Sequence, residues 1–375
     1  MHLIDQRILS HIDYIILALI VPLVIASGIL IQEIHPVLSH KHIIYVSVGI
    51  GLFLFFFVLP IRRFLWMVPF FYWFSIVLLI MVEFVGTTKN MGAQRWIELP
   101  FNFTIQPSEI IKPAFILMMA HLISKMPPPK GGYRFKDFMK LSAYILLPFF
   151  LIAKEPDLGT ATVLLLLGFG ILFIVGVYWK IWAVLFIIVG VGGPTIGYTF
   201  LHDYQKQRIA DFISEKPSYH VQQSIIAIGS GGLTGKAKDQ ATQTQMKFLP
   251  ISSSDFIFAY FVERFGFIGT LLLMIVYIVL IMHLFAISNW LTEDYFIRVM
   301  SAGMSFLIFI YMSVNIAMTV GLAPVVGVPL PMFSYGGTSF VIFMILFGIL
   351  ENLLAFRYNY MYNTTNKISD IKGNG

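Results

Sequence analysis

Apolar runs long enough to cross a lipid bilayer follow one another from Tyr14 to about Phe356, separated by short polar or Pro/Gly-rich breaks. The hydrocarbon of a bilayer is about 30 Å thick, and a helix needs about 20 apolar residues to cross it. Within that layer irregular backbone is tolerated only where protein or a water-filled cavity surrounds it. The chain has 375 residues, of which 58% are hydrophobic and 12% charged, with a mean hydropathy of +0.83. An ordinary soluble domain is about one quarter charged. The pattern predicts an all-α polytopic membrane protein in which residues 1–375 form a single membrane domain, with no room for a large soluble one.

The runs predict about ten transmembrane helices, over 14–32, 41–59, 64–85, 108–125, 139–154, 158–178, 181–200, 256–285, 297–320 and 337–356. The first is too long for a signal-peptide core and shows no small-residue cleavage site, so it is expected to remain as a signal anchor. With no cysteine, neither a disulfide framework nor a thiolate metal site can form. The net charge of +6 could suggest nucleic acid, but the basic residues lie mostly in short loops between spans, where topology explains them. Placing residues 1–13 in the cytoplasm puts Arg62, Arg63, Lys130, Arg134, Lys180 and Arg298 inside, and an even span count returns the 357–375 tail to the same side.

Residues 201–255, between the seventh and eighth spans, then form a large extracytoplasmic loop. Structureless loops longer than about 12–15 residues are uncommon and usually functional or disordered. This one contains a glycine-rich apolar segment, Ser224 to Gly235, that reads as a re-entrant or interface-lying element. No internal repeat is visible, which disfavours inverted-repeat transporters.

Four polar clusters fall on the outer side in this topology: Gly92–Lys112, Ala153–Thr160, the long loop ending at Asp255, and Gly321–Gly337. Four clusters on one face suggest one site. Asp255 stands where the long loop enters an apolar run, and a charge at membrane depth usually has a partner or a task. It is either a helix N-cap or a functional acid. Glu109 and Lys112, three residues apart, share a helix face and serve packing or substrate. Asp157 follows Pro156 and reads as another cap, although Lys154 and Glu155 beside it make the group more than a cap. The fifth apolar run, Leu141 to Ala153, is short, so this charged group is expected partly below the headgroups. Arg95 with Trp96 reads as an interfacial anchor or as a phosphate-binding guanidinium. Lys236 and Lys247 belong to a set of loop cations that are singly surface charges and together could surround an anion. Ser334 and Tyr335 come from the fourth cluster, whose prolines and glycines preclude a continuous helix and shape a loop lining a cavity. Asn315, in the preceding run, reads as a structural interhelical group.

The strings GAQRWI, IQPSEIIK, EPDLGTA, IAIGSGGLTGK, FLPISSSDFIFA and GLAPVVGVPLPMFSYGGTS together resemble the SEDS family of polytopic peptidoglycan glycosyltransferases, over nearly the whole chain. APVVGVPLP resembles the elongation-type RodA branch more than the division-type FtsW branch. The chain departs from the family pattern at Ala237, Ala241, Ile251, Arg264 and Leu99–Pro100, and Ile251, in place of the usual acid, argues against a metal or proton role for that position.

The resemblance implies polymerisation of lipid II at the outer face of the bacterial cytoplasmic (inner) membrane, with Asp255 as catalytic base. It further implies Arg95, Lys112, Glu109, Lys154, Asp157, Lys236, Lys247, Ser334 and Tyr335 as substrate-binding candidates. A divalent cation, Mg or Mn, rests on the resemblance alone, and no metal motif is recognisable. The implied partners are a class B penicillin-binding protein, the lipid II substrate and membrane lipids, with no nucleic acid. The rival readings are a precursor flippase or transporter, a division-type glycosyltransferase and a non-catalytic scaffold. A flippase needs pathway groups reaching the inner leaflet, whereas the polar groups here crowd the outer side.

Overall fold

The computed structural model describes residues 12–86, 96–99, 103–155, 157–200, 206, 210, 212–213, 218–241, 253–290 and 293–357. A helix lies over each of the ten apolar runs. These are α1 (Tyr14–Ile34), α2 (Pro36–Val58), α3 (Val68–Val85), α4 (Pro107–Lys125), α5 (Phe135–Lys154), α6 (Leu158–Val175), α7 (Trp179–Phe200), α9 (Ile257–Trp290), α10 (Tyr295–Thr319) and α11 (Gly337–Ala355), and between α7 and α9 lies the shorter α8 (Tyr219–Ser230). Two helical turns, Ile61–Phe64 and Leu65–Met67, lead into α3. Seven of the helical segments are long and apolar enough to cross a membrane, namely α1, α2, Ile61–Phe84, α6, α9, α10 and α11.

Helix boundaries follow the local chemistry. Asp13 caps α1 by accepting from the Ile15 N–H, and Asp294 caps α10 through Phe296 and Ile297. Proline opens α2 and α4, where its missing N–H has no intrahelical partner to lose. The all-α architecture carries one small non-helical element. Ile97–Leu99 and Phe103–Ile105 form a small antiparallel hairpin, β1–β2, pairing Ile97 with Ile105 and Leu99 with Phe103. β-branched and aromatic residues suit a pleated surface, and a segment this short carries too little periodicity to stand out between two long helices.

α4 is buried on every side, and α10 packs against α4, α6 and α9, so these two helices form the centre of the bundle. α2 packs along α11, while much of its own surface is exposed, as befits a lipid-facing helix. α9 is kinked at Gly266 (φ 64°, ψ −162°). A turn after α8 inserts at the break, where Phe267 N–H donates to Gly232 O at 2.9 Å and Ile268 N–H to Leu233 O at 3.1 Å. The backbone bonds lost at the kink are thereby replaced from the inserted turn. Arg264 secures the same place: its guanidinium grips the Glu33 carboxylate of α1 with two bonds of 2.8 and 2.9 Å, and it also donates to Lys236 O. The cation that departs from the family pattern at 264 therefore ties α1, the inserted turn and α9 together.

At the opposite end, Arg62 pairs with Asp294 at 2.6 Å and His283 with Asp13 at 2.7 Å, while the Asp13 N–H donates to Glu351. These contacts join α1, α9, α10 and α11 far along the bundle from the polar clusters.

Candidate active site

The four polar clusters meet in one cavity of about 590 Å³ at the end of the bundle where α4, α6, α8, α9 and α11 begin. Trp96, Gln106 and Glu109 come from the first cluster, and Asp157 and Thr160 from the second. Ser254 and Asp255 come from the third, with Phe256 next to it, and residues between Gly321 and Gly336 from the fourth, with Thr338 and Ser339 just after it. Ser218, His220 and Val221 at the start of α8 complete the wall.

Asp255 is half-buried in the turn that precedes α9. Tyr260 N–H donates to Phe256 O at 3.4 Å, which puts the backbone start of α9 directly after Asp255. The turn is held from behind. Asn315 of α10, fully buried, donates through Nδ2 both to Asp255 O at 2.9 Å and to Val328 O at 2.7 Å. Ser334 Oγ donates to Ser254 O at 2.7 Å and accepts from the Leu330 N–H at 2.7 Å, and the Tyr335 N–H donates to Ser253 O at 2.8 Å. Gly327, at φ +73°, faces the carboxylate, and a side-chain carbon added there would lie 3.6 Å from Asp255 Oδ2. A positive φ strains any other residue, so glycine both turns the loop and leaves space before the acid.

Two further acids line the same space. Asp157 caps α6 through the Thr160 N–H at 3.3 Å and accepts from Gln106 Nε2 at 3.3 Å. Glu109 receives Lys112 Nζ at 2.5 Å, and the same ammonium donates to Tyr311 OH. Gly159 allows the loop after α10 to close on the start of α6, because a side-chain carbon there would lie 2.6 Å from Val326 O. The phenol of Tyr335 has its pKa pushed up by burial and by Tyr45 beside it, so it stays a neutral hydroxyl.

Of the residues singled out in the sequence, Glu109, Asp157, Asp255 and Tyr335 line the cavity. Lys112 lies behind its wall, bonded to Glu109, and Ser334 supports the Asp255 turn rather than facing the space. Lys154 points away, with its side chain 69% exposed and paired to Glu83 at 2.8 Å. Lys236 sits at the α9 kink, its N–H donating to Glu263 O. Arg95 and Lys247 lie outside the described residues. Gln106, Thr160 and His220 were not legible as site residues, since a single polar residue beside an apolar run carries no spacing signal. Among the described residues, no three His, Cys, Asp or Glu side chains converge to hold a metal ion.

The cell cycle protein family model of FtsW, RodA and SpoVE matches residues 3–359. The chain is 56% identical over 361 residues to the peptidoglycan glycosyltransferase MrdB of Helicobacter pylori, covering 96% of this chain and 94% of the relative. It is 36% identical over 360 residues to the MrdB of Escherichia coli K12, covering 92% and 94%. Its fold is similar to that of a chain solved in a peptidoglycan synthase complex that coordinates polymerization and crosslinking, with a TM-score of 0.81 and 24% identity over 92% of this chain and 98% of that one. A single family model spanning nearly every residue, including all four segments that build the cavity, means that the chain belongs to the FtsW/RodA/SpoVE family of cell cycle proteins.

Proposed function

We propose that this protein is an elongation-type peptidoglycan glycosyltransferase, which polymerises lipid II into glycan strands at the outer face of the bacterial cytoplasmic membrane and so serves cell elongation and rod shape. The observation that carries the reading is the identity of 56%, over almost the full length, to a relative that bears this activity in its name. The cavity supplies a place for the reaction. In this reading all ten long helices span the membrane, residues 201–255 lie outside, and the 1–13 and 357–375 termini are cytoplasmic. The cavity then opens at the outer leaflet, and the Asp13–His283–Glu351 contacts lie at the inner one.

Making a β-1,4 bond from an α-linked donor inverts the anomeric carbon, which requires a base on the acceptor side and a stabilised leaving group on the other. The acceptor hydroxyl oxygen bonds to the anomeric carbon while Asp255 takes its proton. The bond from that carbon to the pyrophosphate oxygen breaks, and its electron pair stays on the phosphate. Asn315 and Ser334 hold the Asp255 turn so that the carboxylate need not reorganise, which is how a positioned base contributes. Asp157 and Tyr335 contact substrate from the cavity wall, Glu109 belongs to that wall as the partner of Lys112, and Arg95 and the loop cation Lys247 serve the anionic headgroup. Lys112 acts by holding Glu109 in the wall, and Lys154, paired with Glu83, takes no part. The Mg or Mn ion of the resemblance would take one or two of the cavity carboxylates and draw its remaining ligands from substrate phosphates, neutralising charge on the leaving group.

The partner in this reading is a class B penicillin-binding protein, whose transpeptidase crosslinks the strand as it emerges. A fold similar to a chain from an assembly that couples the two activities supports it. The test is extension of fluorescent lipid II by the purified protein with its partner. Asp255→Asn should abolish polymer while leaving thermal unfolding unchanged. Polymer from that variant at the wild-type rate would refute the assignment, and a flippase would instead move lipid II across vesicles with Asp255 altered or not.

A further inference from the structure

Three of the described side chains lining the cavity are carboxylates, Glu109, Asp157 and Asp255. A pyrophosphate brought among them is repelled unless donors meet it. Lys112 is bonded to Glu109 and Tyr311 behind the wall, and Lys154 and Lys236 lie elsewhere. Among the described lining residues one side chain, His220, can carry a positive charge. Its ring stacks on Phe256, the residue after Asp255, with centroids 6.2 Å apart and planes at 27°. Phe256 is itself buried, so the imidazole is held in register with the Asp255 turn. Its Nδ1 is shielded from solvent and has no hydrogen-bond partner among the described residues. A ligand in the cavity therefore meets the ring through its other nitrogen, Nε2. His220 is also the second residue of α8, whose positive end faces the same space and whose preceding Ser218 forms no side-chain cap.

We propose that His220 is a substrate-contacting residue, the hydrogen-bond donor that holds the pyrophosphate of the lipid-linked glycosyl donor beside the Asp255 turn. This rests on the glycosyltransferase reading. Imidazole can present an N–H to a phosphate oxygen whether neutral or protonated, and such charge-assisted bonds are the stronger kind. In the transfer step the electron pair left on the phosphate oxygen makes that oxygen a better acceptor, so the His220 bond strengthens as the glycosidic bond breaks.

The test uses the full-length protein in nanodiscs with EDTA present. The probes are geranylgeranyl pyrophosphate and geranylgeraniol, which share a tail and differ in the head. His220→Gln, close in size, should weaken pyrophosphate binding on the order of tenfold, as expected for loss of a bond to a charged group, and leave the alcohol unaffected. A second arm needs no variant. Carbethoxylation of His220 in the wild-type protein, read by peptide mass spectrometry, should be blocked by the pyrophosphate and not by the alcohol. Wild-type affinity in the variant, equal protection by both probes, or loss of wild-type pyrophosphate binding in EDTA would each overturn the proposal. If His220→Gln does not fold, the protection arm decides. Failure of the glycosyltransferase reading itself is seen separately, as wild-type protein that makes no polymer from lipid II.

Discussion

The Lys112–Glu109 pair permits a worked test of what belongs to the framework and what to the substrate. The two side chains are 3% and 11% exposed, 2.5 Å apart, and one helical turn from each other on the central helix α4. Replacing Lys112 with methionine keeps most of the volume but strands a carboxylate in the bundle and takes a partner from Tyr311. Removing one member of a buried ion pair costs about 3–5 kcal/mol, a large part of the roughly 5–15 kcal/mol that holds a folded domain together. Neutralising both members, in Glu109→Gln with Lys112→Met, removes the stranded charge, and such double replacements are often neutral or stabilising. The single variant should therefore unfold at much lower temperature in detergent, and the double variant should regain most of that loss together with polymer synthesis. A double variant as unstable as the single one would refute the argument, because the cost would then not be an uncompensated charge. A double variant that melts like the wild type yet makes no glycan would move the pair from framework to substrate handling.

Asn315→Ala leaves Asp255 O and Val328 O without their shared donor, at about 1–3 kcal/mol for each carbonyl that stays buried and unpaired. Its turnover should fall further than its thermal stability explains, and wild-type kcat would show that the Asp255 turn holds itself. Gly159→Ala drives a methyl against Val326 O, and overpacking of this kind costs about 1–3 kcal/mol. The loop over the cavity must shift, so KM for lipid II should rise together with a melting temperature lowered by several degrees, and unchanged KM would mean that the loop does not contact substrate.

The helices were legible because their signal is length: a run of apolar residues between charged breaks fixes where a span lies without any knowledge of its neighbours. The gathering of four clusters into one cavity was legible for the same reason, since alternating spans return every second loop to the same end. What the sequence could not show is direction at the scale of a single side chain. Lys154 precedes Asp157 by three residues, yet it ends α5 pointing at Glu83 while Asp157 opens α6 facing the cavity. Ser334 and Tyr335 are adjacent, and one hydroxyl is spent on backbone while the other residue lines the space. His220 becomes visible as a site residue only when α8 is folded against the start of α9. The backbone start of α9 directly after Asp255 rests on a single bond, from Tyr260 to Phe256, which no residue preference announces.

The loop between α10 and α11 explains why a polar site in this bundle needs so many non-charged polar groups behind it. Its prolines and glycines prevent helix over residues 321–336, and backbone without helix at such depth must find other partners for its N–H and C=O groups. Three side chains do this from fixed positions. Asn315 of α10 takes Val328 O, Tyr277 of α9 takes Pro331 O at 2.5 Å, and Ser334 receives the Leu330 N–H. Two of these same groups also hold the Asp255 turn, through Asp255 O and Ser254 O. The irregular loop and the acid are therefore not independently placed: a change that frees the loop also frees the carboxylate. It follows that Tyr277→Phe, which removes one hydroxyl and no volume, should lower turnover although Tyr277 lies outside the cavity lining, and should do so with less effect than Asn315→Ala, because it releases the loop at one point and the Asp255 turn at none. If Tyr277→Phe instead proved as damaging as Asn315→Ala, the loop alone would control the site and the direct bond from Asn315 to Asp255 O would carry no weight.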